Sequence, residues 1–183
     1  AGRQKDKLEA LRSTLVVNGK ADSLPILIAD SNNRESLDKL VSKTKVICTT
    51  VGPYALYGTA LVEACVESGT DYCDLTGEVQ WMNRIIKNYE EKAKQTGARI
   101  VHTCGFDSIP SDLGTYFVQE EMMKQQHVYA KKVTARMGRS SGSASGGTIA
   151  SLLNVLDEAK KDPSIRRVMG DPYSLCPPSL VPG

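Results

Sequence analysis

The chain has 183 residues, 40% of them hydrophobic, which suits one domain with a real core or one domain plus part of a second. A formal net charge of +2 is too small to indicate a nucleic acid or an anionic membrane surface as partner. No run of about 18 apolar residues occurs, so no membrane-spanning helix is predicted. The five cysteines are odd in number and irregular in spacing, which argues against a metal site and indicates reduced, mostly buried thiols of a cytosolic protein.

Short apolar runs recur along the first part of the chain and predict β-strands. They begin near residues 25, 46, 71 and 98, a spacing of roughly 20 to 27 residues that is typical of a β-α repeat. Amphipathic patterns between them predict helices, two of them ended by a glycine, over residues 34–42, 59–68 and 79–96. Strands that alternate with helices in this way indicate an α/β fold with a doubly wound parallel sheet and right-handed crossovers.

Beyond residue 110 the pattern changes. The sequence predicts a helix over residues 111–124 and then a half-exposed strand over residues 132–137, where polar and apolar residues alternate as in an antiparallel sheet. We therefore divide the chain into a dinucleotide-binding domain, residues 1–125, and the start of an α+β substrate or dimerisation domain, residues 126–183.

The second part of the chain contains a predicted linker and a predicted helix. Serine and glycine dominate residues 138–147, which predicts a mobile segment. Residues 148–161 have the period of an amphipathic helix, closed by Asp162 and Pro163. The prolines that follow Asp171, the last of them Pro182, predict an irregular tail.

Two loops follow predicted strands at positions where α/β proteins bind ligands. The first extends from Thr49 to Tyr54, and the second extends from Cys104 to Asp112. Ligands bind at the carboxyl ends of parallel strands, so both loops are candidate parts of a site. A glycine in such a loop lets the backbone approach a cofactor closely, and a proline fixes the turn.

The first residues of the chain are a further candidate. No G-x-G-x-x-G motif is present, and Ala1-Gly2-Arg3 before a polar helix from Lys5 to Thr14 is typical of the end of the second strand of a Rossmann fold. An arginine at this point accommodates the 2′-phosphate of NADP, because its planar guanidinium binds phosphate through two hydrogen bonds. A solvated basic N-terminus is the alternative that the residues leave open.

The chain resembles the saccharopine dehydrogenase-like oxidoreductases, and most closely the bacterial branch that includes the trans-acting enoyl reductases of lipid biosynthesis. The resembling segments occur in order and cover most of the chain: Ala1-Gly2-Arg3, Val51-Gly52-Pro53-Tyr54, Gly69 to Glu78, Gly105 to Leu113, Ser145 to Ser151 and Asp171-Pro172-Tyr173. The resemblance implies a Rossmann domain that binds NADP(H) in preference to NAD(H), followed by a substrate domain. It also implies hydride transfer to an activated enoyl or carbonyl double bond of a lipid-like substrate.

This sequence departs from the family pattern at both ends. It lacks the first strand and the glycine-rich loop and stops early in the second domain, so we expect a fragment that is inactive alone, without the backbone cradle for the pyrophosphate. The resemblance implies a cytoplasmic protein with a small-molecule substrate, and leaves homodimerisation and peripheral membrane association open. Two alternatives remain: a non-catalytic dinucleotide-binding or lipid-associated scaffold, and a saccharopine-type amino-acid dehydrogenase.

The resemblance also implies roles for individual residues. Tyr54 is the candidate proton donor. The predicted cofactor-binding residues are Arg3, Asp30, Thr50, Val51, Gly52 and Pro53, and the predicted substrate-pocket residues are Glu78, Phe106, Asp107, Ser108, Gly147 and Thr148. No metal site is predicted.

Several of these residues have a local structural interpretation as an alternative. Asp30 stands before Ser-Asn and fits an Asx-turn, and Thr148 fits a helix cap. Glu78, or Thr76 beside it, fits the cap of the helix that begins near residue 79, and Ser108 fits the cap of the helix after the second loop. His102, within a strand, is predicted to be a packed core residue rather than an acid.

Overall fold

The structure is a computed structural model that describes residues 1–15, 24–139 and 141–181. Helix α1 (Lys5–Thr14) is followed by α2 (Arg34–Val41) and strand β1 (Val46–Thr49). The chain continues with α3 (Tyr54–Tyr57), α4 (Thr59–Ser68), β2 (Asp71–Asp74), α5 (Val79–Thr96) and β3 (Ile100–Val101). The remaining elements are α6 (Ile109–Gln126), α7 (Gly146–Lys161), α8 (Pro163–Gly170) and a 3₁₀ turn (Pro178–Leu180). This order confirms the predicted α/β fold.

The three strands form one parallel sheet in the order β1-β2-β3. In register, Val46 lies opposite Asp71 and Thr49 opposite Asp74, so β1 and β2 end at the same level. The strand predicted near residue 28 is reduced to a single parallel bridge between Gly2 and Ile28. The carboxyl ends of β1 and β2 therefore form one edge, where a ligand is expected.

One face of the sheet carries the hydrophobic core. Helices α4 and α5 cover this face, and alternate strand residues such as Ile47 and Tyr72 point into it. The largest buried side chain is Trp81 of α5, which is 1% exposed. Complete burial of such a ring is a main source of stability in a domain of this size.

The cysteines are free thiols, as predicted, but most of them are not buried. Only Cys65 of α4 is buried, and desolvation raises the pKa of its thiol to about 12. Cys48 is exposed, whereas Cys73 and Cys104 are half-buried. The expectation failed because Cys48 and Cys73 point to the face of the sheet away from α4 and α5.

The predicted glycine stops are correct. Gly69 ends α4 with φ +71° and Gly97 ends α5 with φ +78°, both in the left-handed region. A residue with a Cβ is strained there, whereas glycine is not, so these two positions define where each helix turns into the next strand.

The region after β3 departs from the predictions in two places. Residues 132–137 form no strand, because the described residues offer this alternating segment no partner strand. Instead, the Gln119 side chain of α6 holds the backbone of Ala130 through its Nε2 and Oε1, at 3.0 and 2.7 Å. Asp162 does end α7, but it also caps the unpredicted α8 by accepting the Ser164 N–H at 2.8 Å.

Some predicted features fall outside the described residues. These are Ser140 in the predicted linker and Pro182 in the tail. In the described ranges, no helix combines the length and hydropathy that crossing a membrane requires. The domain boundary near residue 125 stays a prediction.

Candidate functional site

A cavity of about 440 Å³, which we call the strand-end cavity, lies at the carboxyl ends of β1 and β2. The loops after β1, β2 and β3 contribute Thr50, Gly77 and Asp107 to it, and α7 and α8 form its other wall. The predicted site residues that line it are Thr50, Gly52, Tyr54, Glu78, Asp107, Gly147 and Thr148. The chain thus brings together residues that are about a hundred positions apart in sequence.

Six other predicted site residues do not line this cavity. Pro53 is buried beneath the loop, Val51 is exposed, and Phe106 is 78% exposed. The others are Ser108, Arg3 and Asp30. Their predicted roles stay predictions.

Gly52, in the loop after β1, lies close to helix α7. A Cβ added to Gly52 would lie 3.3 Å from Ser151 Oγ and 3.4 Å from Cε2 of the Tyr54 ring. A side chain here would therefore require Ser151 or the Tyr54 ring to shift slightly. Gly52 fits here because it carries no side chain. The close approach to a cofactor that the sequence predicts for Gly52 stays a prediction.

Tyr54 is buried and its hydroxyl is engaged within the protein. The O–H donates to the Thr49 carbonyl at 3.2 Å and accepts the Leu75 N–H at 3.2 Å, which joins the ends of β1 and β2. Burial raises the pKa of the phenol above its usual value. Tyr54 could donate its proton to a substrate only if its hydroxyl first released the Thr49 carbonyl. The catalytic role of Tyr54 stays a prediction.

Glu78 is 2% exposed, and its carboxyl group caps a different helix from the one that sequence reasoning suggested. It stands at the first position before α5 but makes no side-chain cap there. Its oxygens instead accept the N–H groups of Tyr54 at 2.7 Å and Ala55 at 2.9 Å, at the start of α3. Oε1 also accepts the hydroxyl of Ser151, from α7, at 2.8 Å.

Asp74, at the end of β2, is a buried carboxyl group that sequence reasoning did not single out. It is 0% exposed and accepts four hydrogen bonds, from Tyr72 Oη at 2.9 Å, His102 Nδ1 at 2.7 Å, Thr76 N at 3.0 Å and Thr103 N at 3.1 Å. The sequence does contain a signal for this role, because Asp74 occupies a position of β2 whose side chain alternates into the core. Asp74 fixes the loops after β2 and β3 to each other.

His102 is half-buried and packs as predicted. Its ring stands edge-on to Trp81, with the centroids 5.0 Å apart. It also borders a second cavity of about 460 Å³, between α5 and the tail, whose lining is mainly apolar side chains such as Ile85, Ile100 and Leu175. None of the predicted site residues borders that cavity, so we place the candidate chemistry at the strand ends.

The loop after β3 enters α6 without the predicted side-chain cap. Ser108 stands at the N-cap position but its hydroxyl makes no cap hydrogen bond. The turn is held by the backbone, where Ile109 N donates to the Gly105 carbonyl at 2.9 Å. Asp107 of this turn borders the strand-end cavity.

The start of α7 is capped by Ser145, not by Thr148. Ser145 Oγ accepts the Thr148 N–H at 3.1 Å, so the helix begins at Gly146, two residues earlier than the sequence predicts. Apolar side chains of α7 and α8 that the sequence did not point to, Leu152, Val155 and Met169, complete the wall.

Arg3 and Asp30 lie at the ends of the two bridged segments. Arg3 follows Gly2 and borders a shallow depression of about 330 Å³ together with Gln4 and Lys7. Asp30 Oδ1 accepts the Asn32 N–H at 2.9 Å, which is the Asx-turn that the sequence offers as the alternative.

Relatives of known name match nearly the whole chain. A Mycobacterium tuberculosis protein, named as a candidate trans-acting enoyl reductase, is 44% identical over 97% of this chain. The trans-acting enoyl reductases of Mycobacterium ulcerans and Mycobacterium bovis are 39% and 38% identical, each over 96% of this chain. In each case the chain spans 42% of the relative's length.

A family model assigns the first part of the chain. The model describes the saccharopine dehydrogenase NADP-binding domain and matches residues 1–101, which contain the three strands of the sheet and the loops after β1 and β2. The cofactor of this domain is NADP(H). By this match, and by its similarity to the mycobacterial relatives, the chain belongs to the saccharopine dehydrogenase NADP-binding domain family.

Proposed function

We propose that the protein containing this chain is an NADP-dependent reductase that acts on an activated enoyl or carbonyl double bond of a lipid-like substrate. The observation that carries the proposal is the strand-end cavity, where the carboxyl edge of a parallel sheet faces a wall of apolar side chains. The family supports NADP(H) as cofactor, and the names of the relatives support an enoyl group as the reducible one.

The residues present fit the two ends of a dinucleotide. Arg3 and Lys7 provide cationic donors at the depression after Gly2, and an arginine there suits a 2′-phosphate. Thr50 and Gly52 border the strand-end cavity at the carboxyl end of β1, which is where the nicotinamide ring would lie. When bound, the cofactor supplies the hydride, and the protein positions and shields the reacting groups.

The lining of the strand-end cavity suits a substrate with an apolar part and a polar head. Leu75 provides apolar surface on the sheet side of the cavity, and Leu152, Val155 and Met169 provide it on the wall formed by α7 and α8. The hydroxyl groups of Thr50 and Thr148 and the carboxyl group of Asp107 lie on the same cavity. An acyl chain would bury against the first set, while its carbonyl would remain near hydrogen-bond donors of the second.

Calorimetric titration of the full-length protein with NADPH and with NADH tests the cofactor assignment. We expect tighter binding of NADPH, and Arg3→Ala should weaken NADPH binding by about 10- to 100-fold, the size of a charge-assisted phosphate contact, and leave NADH binding nearly unchanged. Arg12→Ala is the matched control, because Arg12 lies on α1 outside the depression. Absence of affinity for either dinucleotide would sink the proposal.

The reaction itself is tested by NADPH oxidation with trans-2-enoyl and keto lipids of several chain lengths. We expect turnover with at least one enoyl or carbonyl class. NADPH binding without oxidation across the panel would instead favour a dinucleotide-binding scaffold.

A further inference from the structure

Glu78 and Ser151 connect the two walls of the strand-end cavity through a buried hydrogen bond. They are 73 positions apart in sequence, and Ser151 Oγ donates to Glu78 Oε1 at 2.8 Å. Glu78 is 2% exposed. Its carboxyl group also accepts hydrogen bonds from two backbone N–H groups at the start of α3. With three donors directed at it from within the protein, Glu78 is suited to holding structure rather than to binding a substrate.

The segment that Glu78 holds is the loop predicted to face the cofactor. Tyr54 and Ala55, whose N–H groups it accepts, directly follow Gly52 and Pro53. Ser151 itself lies against Gly52, within 3.3 Å of the position that a Cβ would take. The Ser151 hydroxyl therefore links α7 to this region in two ways, because it donates to Glu78 and lies close to the backbone of Gly52.

We propose that Glu78 and Ser151 are positioning residues, through which α7 fixes the loop of residues 50–53 at the nicotinamide end of the cofactor. This inference rests on the function proposed above. It assigns to Glu78 a role different from the substrate contact that the sequence suggested, and it gives Ser151 a role that the sequence did not suggest.

The first readout is amide hydrogen exchange of α3, which does not depend on any ligand. In the full-length protein, Ser151→Ala removes the hydroxyl that orients Glu78, so exchange at Tyr54 to Tyr57 should become about fivefold faster. Ser151→Thr keeps a hydroxyl and should restore slow exchange. Ser68→Ala is the control, because the Ser68 hydroxyl bonds Cys65 and Thr70 of the α4 end and not the cavity.

The second readout is the fluorescence of bound NADPH, which reports the surroundings of the nicotinamide ring. If the pair positions the loop, Ser151→Ala should reduce the emission gain on binding at least about twofold, while the affinity changes less than about threefold, since phosphate contacts dominate it. Ser151→Thr should regain the emission. A purely structural contact would leave the emission of the bound cofactor unchanged.

The outcomes separate this inference from the function on which it rests. Unchanged exchange in Ser151→Ala would overturn the inference, and so would faster exchange with unchanged emission. A wild-type protein that does not bind NADPH would overturn the reductase proposal and the role of the pair toward the cofactor, while the exchange data would still decide whether Ser151 holds α3. Faster exchange together with lower emission, both restored by threonine, supports it.

Discussion

Helices α5 and α6 have the same length, 18 residues each, and opposite environments. Helix α5 buries Gln80, Trp81, Met82 and Ile85 against the sheet and α4, whereas α6 buries no residue. Their sequences differ in the same way, since apolar residues of α5 recur at the helical period and those of α6 are spread around it. The comparison teaches that local sequence is sufficient to form both helices, but only a partner surface turns one of them into core.

The largest expected effect comes from comparing how much a buried side chain of α5 and an exposed side chain of α6 contribute to the free energy of unfolding. Trp81→Ala should lower the free energy of unfolding by about 3–5 kcal/mol, because it removes a fully buried ring that contacts Tyr54 and His102. Phe117→Ala on α6, where the ring is 64% exposed, should stay within about 0.5 kcal/mol. Urea unfolding measures both, and an equal loss for Phe117 would break the comparison.

Alanine substitutions at Gly58 and Gly114 should change the stability of the protein in opposite directions. A Cβ at Gly58 would lie 2.7 Å from Cζ2 of Trp81 and 2.9 Å from the Tyr54 carbonyl oxygen, so Gly58→Ala should cost about 1–3 kcal/mol. A Cβ at Gly114, within α6, meets nothing within 4 Å. Gly114→Ala should therefore stabilise by about 0.5–1 kcal/mol through helix propensity, and thermal unfolding of the two variants checks the sign. Destabilisation by Gly114→Ala would mean that α6 has a close partner.

The smallest effect concerns two half-buried carboxylates, Asp71 and Glu121. Arg99 donates to Asp71 through its backbone N–H at 2.9 Å and through its guanidinium, and these bonds lower the pKa of Asp71. On α6, Lys124 lowers the pKa of Glu121 through a bond at 3.0 Å. A lowered pKa contributes stability that is present above the unfolded value, about 3.9 for Asp and 4.3 for Glu, and that is lost as the pH falls through the folded value.

Unfolding measured from pH 6 to pH 2 distinguishes the two carboxylates. Asp71→Asn should remove more of the acid-dependent loss of stability than Glu121→Gln. The reason is that Asp71 joins segments 28 positions apart, and the Glu121 pair lies within one helix. A larger effect of Glu121→Gln would contradict the view that α6 contributes little to the folded core.

Much of the fold was predictable because periodicity and glycine stops act locally. The bounds of β1 and β2 and the ends of α4 and α5 follow from apolar runs closed by Gly69 and Gly97. Pattern alone failed for the predicted strand at residues 132–137, because a strand also requires a hydrogen-bonding neighbour. Helix α8 was missed because Asp162-Pro163 is both a stop for one helix and a start for the next.

The sequence predicted which loops form the candidate site, but it did not predict the hydrogen bonds that hold them. Thr50, Gly52 and Asp107 meet on one cavity because the carboxyl ends of parallel strands meet at one edge. The partners of Glu78 could not be read from the sequence, since its carboxyl group bypasses the adjacent helix and reaches N–H groups 23 and 24 positions away. Which free N–H a buried carboxyl group accepts is decided by packing, which short sequence motifs do not encode.

Trp81 is the single tryptophan of this chain, and its place beneath Tyr54 makes it an optical reporter of the strand-end region. Its emission overlaps the absorption of reduced nicotinamide, so energy transfer to a dihydronicotinamide ring at the cavity would quench it, whereas the oxidised ring lacks that absorption band. The indole N–H also donates to Thr59 Oγ1 at 3.0 Å, which ties the ring to α4. Under the proposed nicotinamide site, Trp81 would distinguish the two redox forms of the cofactor without a label.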